Sequence, residues 1–311
     1  MKRVATLYDE ISSNKMKSIF FIAFFFVFIA AVIYVVSWVF LGEAGFGLVL
    51  VAAILAILMS VFSYWQSDKI VIALSHARPA DEKADAYYVN VVEEMALAAG
   101  LPTPKAYVIE DDAINAMATG RDPTHSAICV TTGAMRKLKR AELEGVIAHE
   151  MSHVKNYDVR LATIAAVMAG FVIILADITM RGMFWGGGTR NREERGGGAG
   201  SVLMIIGIVF LVLSPVFAAL IQAALSRRRE ELADVSGVML TRYPDGLIGA
   251  LKRIKADTEG SAVQQPSQAI AHMYFANPLS GKAVMGLFET HPPLDERIAT
   301  LERYALENRK K

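Results

Sequence analysis

The residues best suited to chemistry are two histidines and a glutamate in the segment VIAHEMSHVKN, residues 146–156. In a helix, residues four apart lie on one face, so His149 and His153 can both bind one zinc ion. Glu150 lies beside them and can accept a proton from a water molecule on that ion. The alternative is an amphipathic helix with two surface histidines. The apolar stretch GVIA before His149 favours a buried helix and therefore the zinc site.

A catalytic zinc ion needs a third protein ligand. The segment SRRREELADVSG, residues 226–237, offers Glu230, Glu231 and Asp234 on a predicted helix. Glu230 and Asp234 are four apart, so one can bind the metal while the other supports a ligating histidine. The same residues would suit a helix surface with Glu–Arg ion pairs, and spacing alone does not decide. The remaining histidines do not occur in pairs; they are His76, His125, His272 and His291.

The composition indicates a membrane protein. Hydrophobic residues make up 54% of the 311 residues and the mean hydropathy is +0.37, both high for a soluble globular protein. The net charge of +1 argues against a general nucleic-acid-binding protein. The single cysteine, Cys129, excludes an intrachain disulfide and suits a reducing compartment.

Four apolar segments are long enough to cross a hydrocarbon core of about 30 Å as helices. The first two are joined only by GEAG and predict a hairpin; a cleaved signal peptide is the alternative for the first. The last two flank a Gly/Arg-rich loop at 181–200, and their alternative is a buried hairpin of a soluble core. The four segments are residues 19–41, 46–65, 161–180 and 201–225.

Lysine and arginine near the ends of these segments predict their orientation. Basic residues lie in the N-terminal tail, after the second segment, before the third and after the fourth, whereas GEAG has none. The tail and the polar parts are therefore expected in the cytoplasm. The loop at 181–200 also carries four arginines, which leaves open whether the central hairpin crosses fully.

The polar parts predict mainly helix with a small sheet. Apolar spacing and turn residues predict helices at 80–99, 140–158, 226–243 and 245–257, and Pro293 is placed to begin a last helix. Strands are predicted at 105–110, 114–120 and 126–135.

Six features together are highly specific. The N-terminal hairpin is followed by INAMATG, VIAHEMSHVKNYD, SRRREELAD, MYFANP and THPPLDERIATL, in that order. Along nearly its whole length the chain resembles the HtpX-type membrane zinc metalloproteases, and more distantly the CAAX prenyl proteases. The resemblance implies a gluzincin-like protease domain joined to about four transmembrane helices. The expected division is an N-terminal hairpin at 1–66, protease parts at 67–160 and 226–311, and a second hairpin at 161–225.

The resemblance also assigns roles to site residues. It implies that His149, His153 and Glu230 bind one zinc ion per subunit, that Glu150 is the general base, and that Asp234 supports the ligands. It further implies that His291 and Arg297, in HPPLDER, stabilise the oxyanion that develops during hydrolysis.

A substrate strand is implied as well. The segment formed by Asn115, Ala116, Met117 and Ala118 resembles the edge strand on which the family lays a substrate peptide by backbone pairing. The family motif usually reads N-A-F-A, and Met117 stands at the Phe position. Both side chains are apolar, so the exchange is expected to alter the fit more than the chemistry.

The function implied is that of a zinc-dependent endopeptidase in the cytoplasmic (inner) membrane. Its expected role is quality control of misfolded or damaged membrane proteins, with the lipid bilayer and protein substrates as partners and no nucleic acid. His153 lies about 12 Å of helix before the third apolar segment and Glu230 about 7.5 Å after the fourth, so the site is expected at the membrane surface. The alternatives are a zinc-holding membrane scaffold and a CAAX-type processing protease. Glu150 argues against the scaffold, and the small number of spans argues against the CAAX type.

Overall fold

The computed structural model describes residues 12–24, 27, 54, 65–167, 227–258, 270–276 and 292–308. Among these residues, no helix combines the length and the apolar character needed to span a bilayer. Most of each predicted transmembrane segment lies outside the described residues, so the four spans stay a prediction.

The described part is mainly helical with one four-stranded sheet, as the sequence predicts. The strands have the order β1-β2-β4-β3, in which β2 and β4 are parallel and the other pairs are antiparallel. Their bounds are β1 Arg78–Pro79, β2 Lys105–Ile109, β3 Ala116–Asp122 and β4 His125–Thr131. Within this sheet β3 is therefore an edge strand.

Seven helices can be labelled in chain order. They are α1 Ser67–Leu74, α2 Ala86–Ala99, α3 Thr132–Lys137, α4 Arg140–Lys155, α5 Arg227–Thr241, α6 Pro244–Thr258 and α7 Leu294–Asn308. Residues 12–24 and 158–167 are also helical, and Ala271–Met273 form a short 3-10 turn. The predicted last helix begins as expected, directly after Pro293.

Several boundaries differ from the sequence prediction, and two of the differences have clear local reasons. The predicted strand at 126–135 ends at Thr131, because the Thr131 side chain accepts a hydrogen bond from the Ala134 N–H and caps α3. The helix predicted from residue 80 begins at Ala86, because the Asp81 side chain accepts bonds from the backbone of residues 83 and 84 and holds a turn there.

Helix α4 lies at the centre of the fold. One side of it packs on the sheet and α2, and the other packs on α5 and α6. Its approach to α6 is very close: a Cβ atom on Gly145 would lie 2.7 Å from the Leu247 backbone nitrogen. A residue with any side chain there would separate the two helices, so Gly145 sets the depth at which α4 is buried.

Two apolar clusters lie on opposite faces of the sheet. The larger joins the sheet to α2, α4 and α6 and includes Ile128, Ile147 and Leu251. The smaller packs Val71 of α1 against Met117 and other residues. The sheet and its helices thus form a rigid support for the face of α4 that carries the HEMSH sequence.

Candidate metal centre

Helix α4 carries His149, Glu150 and His153 into the interior. His149 is 1% exposed and Glu150 is 2% exposed. Burying a histidine and a carboxyl group side by side is costly unless each has a partner. Their burial therefore favours a functional site over two surface histidines.

Three side chains converge on one point. The Nε2 atoms of His149 and His153 lie 3.1 Å apart, and the Glu230 carboxylate on α5 lies 3.7 Å and 3.5 Å from them respectively. Ligands about 2.0–2.2 Å from a tetrahedral zinc ion lie roughly 3.4 Å apart. The spacing of this His-His-Glu group therefore fits a single zinc-sized ion.

The opposite nitrogen of each imidazole is held by a carboxylate. The Nδ1 atom of His149 lies 2.8 Å from Asp234, and that of His153 lies 3.1 Å from Asp158. A proton on each Nδ1 that is donated to its carboxylate leaves the Nε2 lone pair directed at the centre. Asp234 therefore lies within hydrogen-bond distance of His149, where it can support that ring.

Sequence reasoning did not give Asp158 a role. It is the last residue of the quoted motif VIAHEMSHVKNYD, five residues beyond His153. The chain turns at Asn156 and Tyr157, where Tyr157 has a positive φ of 61°, and this turn brings the Asp158 carboxylate back to the histidine. A carboxylate shortly after an H-E-x-x-H helix was the available signal.

Arg297 of α7 is buried against Asp234. Its Nη2 and Nε atoms donate to the two Asp234 oxygens at 2.6 and 2.9 Å, and Nη1 donates to the Phe275 carbonyl at 3.2 Å. The guanidinium also lies 4.4 Å from the centre of the Phe275 ring. The structure therefore places Arg297 behind His149, on its Nδ1 side. His291 lies outside the described residues.

The protonation of these groups follows from burial and neighbouring charges. Burial lowers the pKa of His149 to about 4, although Asp234 opposes the shift. Burial also acts to lower the pKa of His153, but Asp158 and the nearby carboxylates outweigh it and raise that pKa to about 9. For Asp234, burial acts to raise the pKa, and the stronger combined effect of Arg297 and His149 lowers it to about 2. Without a metal ion, the centre thus combines a neutral His149 with an ionised Asp234 at neutral pH.

A small cavity of about 40 Å³ opens on the centre. It has room for an ion and a water molecule, but a peptide must approach from outside. Its lining includes Glu150, the three candidate ligands, Ala118 of β3 and His272 of the 270–276 segment. The 270–276 segment contributes Phe275, whose ring packs edge-on against His149 at 4.8 Å.

The predicted substrate strand borders this cavity. The Ala116 carbonyl accepts a bond from the Phe275 N–H, and the Gly120 N–H donates to the Thr163 hydroxyl, so both groups point away from β4. By the alternation of a strand, Ala118 between them directs its own N–H and C=O to the same edge of β3, opposite β4.

The other residues of the predicted strand have structural contacts. The Asn115 side chain bonds both the N–H and the carbonyl of Ala276 and so holds the 270–276 segment. The Met117 side chain is fully buried in the smaller apolar cluster, on the face of the sheet that packs against α1. Ala118 is therefore the member of the strand that both lines the cavity and faces the edge.

Comparison with known proteins identifies the family. The sequence profile of peptidase family M48 matches residues 82–305 of this chain. The chain belongs to peptidase family M48. It is a metalloprotease, and the matched region contains the HEMSH helix and Glu230.

Relatives of this M48 peptidase extend over nearly the whole chain. A protease HtpX homolog from Dictyoglomus turgidum is 43% identical over 298 residues, which cover 95% of this chain and 94% of the relative. A protease HtpX homolog from Listeria monocytogenes serovar 1/2a is 45% identical over 309 residues, covering 95% and 99%. Among solved structures, S. mikatae Ste24p aligns with a TM-score of 0.47 and 14% identity, covering 96% of this chain and 66% of its own.

Proposed function

We propose that this M48 metalloprotease is a zinc-dependent endopeptidase of the inner membrane that hydrolyses misfolded or damaged membrane proteins from the cytoplasmic side. The observation that carries the proposal is the convergence of His149, His153 and Glu230 beside a buried Glu150. Two imidazole nitrogens and one carboxylate oxygen form a donor set that catalytic zinc sites use, with one position left for water or substrate.

His149, His153 and Glu230 hold the zinc ion in this proposal. Asp234 and Asp158 fix the two imidazole rings through their Nδ1 atoms. When bound, zinc supplies a Lewis acid that polarises a carbonyl group and makes a water molecule more acidic.

Glu150 moves the proton. It lines the cavity next to the candidate ligands, so a water molecule there is within its reach. The carboxylate takes the proton of the attacking water and delivers it to the amine that leaves. His291 and Arg297 are proposed to stabilise the oxyanion. The observed contacts of Arg297 support an additional role, which is to hold Asp234 in place behind His149.

The substrate is proposed to lie along β3 in an extended conformation. The N–H and C=O of Ala118 pair with the peptide backbone, so recognition depends little on side-chain identity. Such a mode suits unfolded segments, because a folded substrate has its backbone groups already paired.

The location rests on the sequence. Four apolar segments and their flanking lysines and arginines support a multi-pass protein with its protease part in the cytoplasm. Since the two halves of the metal centre flank the central apolar segments closely, the site lies at the membrane surface. Loops and ends of other membrane proteins reach such a site, which fits a role in the stress response.

The first test is restoration of activity by metal. Chelator-treated protein in detergent receives one equivalent of zinc, and cleavage of an unfolded test protein is followed beside the Glu150→Gln variant. We expect zinc to restore cleavage in the wild type only, while both proteins bind zinc equally well. Cleavage by Glu150→Gln at the wild-type rate would refute the assignment of the base. Tight zinc binding without any cleavage would favour the scaffold alternative.

A further inference from the structure

The N-terminal helix, residues 12–24, places a polar side chain deep in the protease part. Asn14 is 0% exposed and lies among Asn156, Asp158 and the start of the helix at 158–167. An amide group is costly to bury unless its hydrogen bonds are made. The partners of Asn14 therefore indicate why it is there.

The amide nitrogen of Asn14 contacts Asp158, the carboxylate that holds the candidate ligand His153. Its Nδ2 atom donates to the Asp158 carboxylate oxygen Oδ1 at 2.6 Å and to the Asn156 carbonyl at 3.1 Å. The other Asp158 oxygen, Oδ2, lies 3.1 Å from the Nδ1 atom of His153. Two hydrogen bonds thus connect residue 14 to a histidine of the candidate centre.

The bond from Asn14 is the shortest contact to Asp158 Oδ1 among the described residues. Arg229 also approaches this oxygen, but at 3.4 Å. Bonds to an ionised oxygen are stronger than neutral ones, and a carboxylate held from one side by a short bond presents its other oxygen in a fixed direction. Asn14 is therefore well placed to set the direction in which Asp158 meets His153.

The two ends of the Asn14 amide differ in their hydrogen bonding: Nδ2 donates two bonds. The Asn14 Oδ1 atom is buried and has no hydrogen-bond partner in the described part of the chain. The contacts of the amide are those of a donor to Asp158 and to the Asn156 carbonyl.

We propose that Asn14 is a positioning residue for the metal centre, so that zinc is bound tightly only when the N-terminal helix is docked on the protease part. This inference rests on the proposed zinc site. It makes the first turn of the N-terminal helix, which leads into the first apolar segment, a component of the active site.

The test compares variants of one helix. Asn14→Leu keeps the branched outline and the number of heavy atoms but removes the donor, and Asn14→Ala removes both the donor and the bulk. Ser18→Ala is the matched control, because Ser18 is also fully buried on this helix and, within the described part of the chain, its hydroxyl donates to the Asn14 carbonyl. Zinc affinity is measured by competition with a chelator in detergent, and the visible spectrum of the Co²⁺-loaded protein reports the ligand geometry.

We expect both Asn14 variants to bind zinc about 10–100-fold more weakly than the wild type, as is usual when the support of a ligating histidine is lost. The Co²⁺ spectrum should change as well, while Ser18→Ala keeps the wild-type affinity. In an Asp158→Asn background, Asn14→Leu should add little, because its target is already altered.

Wild-type affinity in Asn14→Leu would overturn the inference. So would an equal loss of affinity in Ser18→Ala, since helix docking in general would then be responsible. Thermal unfolding of the metal-free proteins separates a weakened metal site from a misfolded chain. Failure of the proposed function would show in a different measurement, as a zinc-loaded wild type that does not cleave.

Discussion

Replacement of Arg297 by leucine tests whether this residue organises the metal centre. The side chain is buried, and it makes two short bonds to Asp234, which is itself 3% exposed. In Arg297→Leu the Asp234 carboxylate loses its counter-ion, and among the described residues it keeps its contact with the neutral His149 imidazole. Removing one partner of a buried pair typically costs about 3–5 kcal/mol of unfolding free energy. We therefore expect a loss of that size, together with weaker zinc binding.

The assay is thermal or urea unfolding of the metal-free protein in detergent, followed by chelator competition for zinc. Arg253→Leu is a control, because its ion pair with Glu142 is partly exposed and should contribute little. In the double variant Arg297→Leu, Asp234→Leu, most of the stability should return, since no unpaired charge remains buried. Zinc affinity should stay low, because His149 still lacks its carboxylate.

An Arg297→Leu protein as stable as the wild type would refute this reasoning. If it also bound zinc normally but cleaved 10²–10³-fold more slowly, Arg297 would act on the oxyanion alone, with the magnitude usual for a lost oxyanion donor.

Three further changes have definite expected results. Ala118→Pro removes the N–H that faces the edge of β3 opposite β4, so peptide cleavage should fall at least about tenfold in kcat/KM while zinc affinity is kept. Gly145→Ala drives a methyl group into the Leu247 backbone, and a lower unfolding midpoint is expected in calorimetry. The pKa of Asp85 is lowered in the folded protein, chiefly by the hydrogen bond from Arg78. The ionised carboxylate therefore stabilises the folded state above its unfolded pKa of about 4. This contribution is lost as the pH falls through the lower pKa of the folded state. Asp85→Asn should therefore show a shallower loss of stability between pH 5 and pH 3.

These three results can each be contradicted by a simple comparison. Unchanged peptide cleavage in Ala118→Pro would show that the substrate does not pair with β3. Gly100→Ala is the control for backbone strain alone, because a Cβ atom there has open space but φ is +66°. The unfolding midpoint of Gly145→Ala must fall further than that of Gly100→Ala. If the unfolding free energy of Asp85→Asn fell with pH as steeply as that of the wild type, carboxylates other than Asp85 would cause the loss of stability in acid.

The sequence predicted the parts of the site that depend on local geometry. His149 and His153 share a face because they are one helical turn apart, and the burial of α4 follows from its apolar spacing. Glu230 could not be separated from Glu231 by spacing; the fold separates them, because Glu230 is 4% exposed and faces the two histidines.

The contacts that connect distant residues could not be read from the sequence. Arg297 and Asp234 are 63 residues apart, and Asn14 and Asp158 are 144 apart, so neither pair leaves a periodic pattern. The end of β4 was mispredicted for a smaller reason. Residues 132–135 suit a strand by composition, but the Thr131 side chain caps a helical turn; because threonine also suits a strand, its type alone does not predict which of the two it joins.

The metal centre draws its parts from almost the whole chain, and this has a consequence for biosynthesis. The histidines lie on α4, the candidate carboxylate ligand on α5 and the partner of Asp234 on α7, and the central apolar segments come between α4 and α5 in the sequence. A ribosome delivers these parts in order, so a nascent chain that has emerged only through α4 carries the HEMSH helix without its third ligand. The His-His-Glu group and the Arg297 support of Asp234 are therefore complete only after residues 230 and 297 have emerged.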